Sequence, residues 1–229
     1  MPTVSGIVVG TGVQGSNRRT LLDVVDELAR PLDASDTTLR AMAADAFRAA
    51  VRTMNRKGLW PWEVQEENVV ITANQKYSTV SSAVKKPLRM HKTVSSGGNE
   101  DEGLAYYSFD RFKEKFNLDT SGDPWAYTIP NLFETGQVRW YPVPSSNDTA
   151  NFTYYRVTPA PRAEDETIEI PDYAMEVYMA YAWYEFLKRV PASQQRFPLQ
   201  LAMADARLAF RELSVHVASP GDRMREVIV

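Results

Sequence analysis

The sequence predicts an α+β fold: a helical bundle built from N- and C-terminal helices, with an antiparallel β domain inserted between them. Three observations carry this. Apolar residues recur at 3–4 spacing before residue 58 and again after 171. Between those limits the period drops to 2, with short runs rich in Val, Tyr, Phe and Trp. Pro and Gly stand at each change of pattern. The expected divisions are a flexible arm over 1–19, a bundle from 20–58 plus 171–216, a β domain over 59–170, and an extended tail over 217–229.

The arm is rich in Gly, Ser and Val, with Arg18 and Arg19 its charged side chains. Thr20 and Asp23 have capping-box spacing, and Leu21, Leu22, Val24, Val25 and Leu28 form one helical stripe that Pro31 stops. Ser35 or Asp36 starts a second helix. It carries Leu39, Met42, Ala43, Ala46, Phe47, Ala50, Val51 and Met54, and Gly58 ends it. Two such helices need further partners to bury their stripes.

After Gly58, Val69 to Ile71, the turn-like pair Asn74-Gln75, Tyr77 and Val80 read as a β-hairpin over 66–80. Leu88, Met90, Val94, Leu104 and Tyr106 alternate with polar residues on either side of a loop over 95–102. Ser108 caps a short helix bearing Phe109, Phe112 and Phe116. Trp125, Tyr127 and Ile129, then Val138 and Trp140, then Phe152 and Tyr154, read as short antiparallel strands. Pro142 and Pro144 suit an edge or a strand end.

Pro171-Asp172 opens a helix carrying Tyr173, Tyr178, Tyr181, Trp183, Tyr184 and Phe186. These do not fit on one stripe, so the helix must be covered on most faces. Tyr178, Tyr181, Trp183 and Tyr184 are the candidates for a face shared between subunits, because an exposed aromatic strip of that size associates. Pro198 opens a last helix with Leu201, Ala204, Leu208 and Leu213 on its expected buried face.

Composition narrows the function. The 229 residues carry a net charge of −3, no Cys and 2 His. Without Cys there is no disulfide framework, thiolate metal site or cysteine nucleophile. Two histidines leave little for a zinc enzyme or a histidine-based triad. The 5 Trp, 11 Tyr and 9 Phe exclude a chain that stays solvated. No signal peptide is expected from the short apolar stretch Ile7 to Val9, and no apolar run is long enough to span a bilayer.

Gly10, Gly12 and Gly15 match the G-x-G-x-x-G spacing of a nucleotide-binding loop. A helix should open at the second glycine, yet the first periodic residue is Leu21. Around Ala29-Arg30-Pro31, where an acidic strand end belongs, there is a helix stop. A nucleotide-binding enzyme is therefore the weakest alternative, and no cofactor or catalytic residue is assigned. Acidic groups at Glu66-Glu67, Glu100-Asp101-Glu102 and Glu164-Asp165-Glu166 fall in loops or strand starts, where such side chains point into water. Lys76, Lys85, Lys86, Arg89 and Lys92 lie in an acid-free stretch and suggest a second alternative, a DNA-binding accessory protein using a basic 76–92 face.

A set of motifs in order carries a resemblance. They are Gly58-Leu59-Trp60-Pro61-Trp62, a strand closing near Tyr77, Phe109-Asp110-Arg111-Phe112 and Gly122-Asp123-Pro124-Trp125-Ala126-Tyr127. Val138-Arg139-Trp140-Tyr141-Pro142-Val143-Pro144, Phe152-Thr153-Tyr154-Tyr155 and Ile168-Glu169-Ile170-Pro171-Asp172-Tyr173 follow. Over residues 20–190 the chain resembles the head-to-tail adaptor (connector) proteins of tailed bacteriophages, including the tail accessory factor type. The resemblance implies a virion structural protein made in the host cytoplasm, not an enzyme. It implies a homododecameric ring under the portal protein that extends the DNA channel toward a tail or nozzle protein. Double-stranded DNA then passes through the lumen without specific binding, which a net charge of −3 suits. The expected portal contacts are Arg223, Met224, Arg225, Val227, Ile228 and Val229, with the last helix. The expected tail-facing loop is Gly97, Gly98, Asn99, Glu100 and Asp101.

Overall fold

The computed structural model describes residues 19–92, 103–116, 119–134 and 136–217. The described residues divide into two compact units, one within Met1–Gly58 and Thr158–Val229, the other Leu59–Val157.

The first unit is helical: α1 (Leu21–Ala29), α2 (Thr37–Lys57), α4 (Asp172–Leu187) and α5 (Leu199–Val217). The capping box forms as expected. Thr20 Oγ1 accepts from the Asp23 N–H at 3.3 Å, and Asp23 Oδ2 accepts from the Thr20 N–H at 2.8 Å. Asp36, not Ser35, caps α2 by accepting from the N–H groups of Thr38 and Leu39. Leu21, Val24, Val25 and Leu28 are buried, but Leu22, expected on the same stripe, is exposed. It lies one residue round the helix from Leu21, beyond the width of the buried face.

Helix α4 contacts α1, α2 and α5. That central position explains its near-uniform apolar surface: Ala174, Met175, Val177, Tyr178, Ala182, Phe186 and Leu187 are all buried. Helix α5 corrects the sequence reading. Its buried residues are Ala202, Ala206, Ala209 and Leu213, whereas Leu201 and Leu208 are exposed. The helix bears two stripes at 3–4 spacing, and the alanine stripe lies against the bulky side chains of α4, so large and small residues interdigitate.

The segment from Thr158 to Ile170, read from the sequence as part of the β domain, is bonded to the helices instead. Asn55 Nδ2 donates to the Thr158 carbonyl at 2.9 Å, and Thr158 N–H returns a bond to Asn55 Oδ1 at 3.1 Å. The N–H groups of Leu21 and Leu22 donate to the carbonyls of Glu166 and Glu164. The orphan donors at the start of α1 thereby fix this segment.

The second unit holds β1 (Val64–Ile71), β2 (Tyr77–Thr79), β3 (Val84–Lys92), β4 (Ala105–Tyr106), α3 (Phe109–Lys115), β5 (Ser121–Gly122), β6 (Ala126–Thr128), β7 (Gln137–Tyr141), β8 (Val143–Pro144) and β9 (Asp148–Arg156). Its sheets run β1-β9-β3, β2-β7-β6-β4 and β5-β8. The expected 66–80 hairpin does not form. β1 pairs with β9, from Val64 opposite Tyr155 to Ile71 opposite Asp148, and β2 pairs with β7. Strand β9 also takes β3 on its other side, and it is the most enclosed of the three. Ser78 keeps only a side-chain link to β1, donating from Oγ to the Val70 carbonyl.

The β unit is not wholly antiparallel. β4 and β6 pair in parallel, as do β5 and β8. Parallel neighbours need a crossover, and α3 supplies it between β4 and β6. The core of this unit centres on Trp140, Tyr127, Phe152, Tyr154, Met90 and Ile71.

Candidate functional site

Among the described residues no group of three or more His, Asp and Glu side chains is placed to hold a metal ion. No described helix is long and apolar enough to cross a membrane. What the units offer is surface, and each candidate surface follows from local packing.

The basic run over 76–92 does not make one free positive face. Lys85 is buried, with Nζ 2.7 Å from Glu63 Oε2. Lys76 pairs with Asp119 at 3.0 Å, and Lys92 pairs with Asp123. Arg89 Nε donates to Thr153 Oγ1 at 3.2 Å. Lys86 and Arg89 are the exposed residues of the β3 part of the run. The acids that neutralise it come from other parts of the chain, so a window along the sequence sees none of them. A phosphate backbone would meet few unpaired cations here.

The aromatic helix places its residues unequally. Tyr178 is fully enclosed by its own chain, so it has no surface to offer a second copy. Tyr181 is nearly as buried; its ring lies edge-on to Phe210, with Lys57 Nζ over both rings. Trp183 and Tyr184 are half-buried. Trp183 lies against Phe186 and Phe197, and Lys188 sits over the Tyr184 ring. Of the four candidates, Trp183 and Tyr184 are the ones that keep partly exposed surface, and Tyr173 at the start of α4 is exposed as well.

The stronger apolar surface is on α5, where Leu201, Leu208 and Val215 are 59%, 56% and 68% exposed. A spacing of seven puts them on one side of the helix. Leu201 and Leu208 belong to the face that the sequence pattern predicts to be buried together with Ala204 and Leu213; of those four, Leu213 is buried. In the β unit, Trp125 is exposed at the rim of a ring cluster with Phe116 and Tyr141. Phe116 and Tyr141 stack at 4.3 Å, and Arg139, largely buried, lies over the rings of Tyr77 and Phe112. The tail-facing loop Gly97 to Asp101, the portal-contacting residues Arg223 to Val229 and the Gly10–Gly15 loop lie outside the described residues.

The family profile described as SU10 adaptor protein matches residues 19–225, which takes in every described element of both units. The chain belongs to the SU10 adaptor protein family. The phage head-to-tail adaptor indicated by the ordered motifs is therefore the right class, and this family member is a structural component of a virion. A comparison with curated proteins finds no match. Among the exposed apolar residues of this SU10 adaptor family protein, Leu201, Leu208 and Val215 share one side of α5.

Proposed function

We propose that this adaptor forms a homododecameric ring under the portal protein, extends the DNA channel and attaches a tail or nozzle protein. The observation that carries the docking reading is the outward row Leu201, Leu208 and Val215 on α5, which no part of the described helical unit covers. Apolar side chains at that spacing suit a helix or groove on a partner. The row leads along α5 toward the chain segment that holds Arg223, Met224, Arg225, Val227, Ile228 and Val229. The portal therefore takes the α5 face and the tail of the chain together. Trp183 and Tyr184 serve the contact between copies, and Gly97 to Asp101 faces the tail protein. DNA passes through the lumen without specific binding, consistent with the paired state of Lys76, Lys85 and Lys92.

The test is binding of the purified chain to the portal of the same phage, read by size-exclusion chromatography with light scattering. Removing residues 219–229, or changing Leu208→Asp, abolishes co-elution with the portal while circular dichroism stays unchanged. Undiminished co-elution for both variants removes the assignment.

A further inference from the structure

We infer that the helical unit carries a preformed cleft for a carboxylate-bearing peptide segment of a partner protein, read by Arg52 and Arg162. The cleft has a volume of about 600 Å³ and is lined by Arg48, Arg52, Pro159 to Arg162 and Glu166. Nothing in the adaptor reading requires it.

The cleft is built from fixed parts. Arg48 and Arg52 are one turn apart on α2 and share a face. Arg48 is spent on structure: Nε donates to the Pro161 carbonyl at 2.9 Å, Nη2 to the Arg162 carbonyl at 2.7 Å, and Nη1 to Asp45 Oδ1 at 3.0 Å. Glu166 fastens the far wall by accepting from the N–H groups of Arg162 and Ala163 at 2.5 and 3.3 Å. Those two N–H donors hold its carboxyl below the usual carboxylate range, so it stays ionised at neutral pH. A rigid cleft loses little entropy when it is filled.

Arg52 and Arg162 differ from Arg48. Both are exposed; Arg162 lies close enough to Glu166 to help hold its carboxyl low, whereas Arg52 has no ion-pair partner among the described residues. Arg56 continues the row one turn further along α2 and is also exposed. The lining carries three arginines against one carboxylate, a net positive charge, and the Arg52 guanidinium keeps its planar donor fork free of any ion pair among the described residues. That geometry matches a carboxylate taken end-on in a bidentate grip. Pro159, Ala160 and Pro161 give the cleft an apolar side, which suits the flanking residues of a peptide.

The rim selects a peptide over a nucleic acid. Glu164 and Asp165 are exposed two and three positions beyond Arg162, and Asp45 sits beside Arg48. A continuous polyanion laid across the cleft meets these charges and is repelled. A segment with one or two acids between apolar residues avoids them.

The experiment is fluorescence anisotropy on the full chain with a fluorescein-labelled, C-terminally amidated peptide that holds one glutamate between valines. The same peptide with glutamine for glutamate and a short labelled DNA duplex are the comparison probes. Saturable binding of the glutamate peptide and no binding of the glutamine peptide are expected. Arg52→Glu and Arg162→Ala, both at exposed positions, each weaken binding by about tenfold or more. Arg207→Glu on α5 leaves it unchanged. The absence of saturable binding, equal binding of the glutamine peptide, or indifference to Arg52→Glu overturns the inference. So does duplex binding that Arg52→Glu abolishes, which would make the cleft a nucleic-acid site.

Discussion

Lys85 Nζ lies 2.7 Å from Glu63 Oε2, and both side chains are almost wholly shielded from solvent. The pair ties the start of β1 to the start of β3. Glu63 Oε2 also accepts from the Trp60 N–H at 3.2 Å, so one carboxylate organises the Trp60-Pro61-Trp62 turn as well. Trp60 and Trp62 stack there at 5.2 Å.

Breaking a buried pair from one side leaves a buried charge without its counterion, at a cost of about 3–5 kcal/mol. Lys85→Met and Glu63→Leu each destabilise the protein by that amount in urea unfolding. The double variant recovers most of the loss and forfeits the Trp60 bond, about 1 kcal/mol. A double variant as unstable as the sum of the singles would show that the pair is not coupled. Burial pushes the Lys85 ammonium below its ordinary 10.5, against the opposing pull of Glu63. The folded state then holds fewer protons than the unfolded one in that window. Through this group alone, stability rises with pH up to the unfolded value.

Helix α5 separates two readings of one sequence. The alanine stripe is the packed one, so Ala206→Leu forces extra volume against α4 and costs about 1–3 kcal/mol. Leu208→Ser changes stability by no more than about 0.5 kcal/mol, because its side chain is 56% exposed. Thermal unfolding of the two variants decides between the faces, and a reversed order would restore the leucine face as the buried one.

The sequence was most legible where structure is local. The ends of α1 and α2 were readable because Thr20, Asp23 and Asp36 act on N–H groups within three residues. The strand partners were not, because β9 closes both β1 and β3 from far along the chain, and no neighbouring residue signals that choice. The same non-locality dissolves the basic face: Glu63, Asp119 and Asp123 lie outside the acid-free stretch that holds Lys76 to Lys92. The cleft at Arg48, Arg52 and Arg162 had a partial signal in the spacing of Arg48, Arg52 and Arg56, but its other wall begins at Pro159. The face of α5 was ambiguous in principle, since two apolar stripes satisfy the same period.

Gly136 tests the fit of the β unit. A Cβ there would lie 2.6 Å from the Val80 carbonyl oxygen and 2.8 Å from that of Ser82. Both are backbone atoms, and Val80 N–H donates to the Gly136 carbonyl at 2.7 Å, so the strands cannot part cheaply. Gly136→Ala lowers stability by about 1–3 kcal/mol in urea unfolding. A neutral result would mean that the backbone of residues 80–82 yields.

The alkaline limb of the stability curve belongs to buried phenols. Burial raises the ionisation of Tyr127 and Tyr154 far above the ordinary 10.0, and at Tyr154 the carboxylate of Glu67, 2.8 Å from its hydroxyl, adds to the rise. Above about pH 10 the unfolded chain gives up these protons while the folded chain keeps them, so stability falls as pH rises. This opposes the Lys85 contribution, which stops growing near 10.5. Spectrophotometric titration then shows the phenolates of Tyr127 and Tyr154 as a late phase that appears only together with loss of near-ultraviolet circular dichroism. Tyr127→Phe and Tyr154→Phe each shrink the late phase and flatten the fall. A single smooth ionisation with the fold intact would place these rings in contact with solvent.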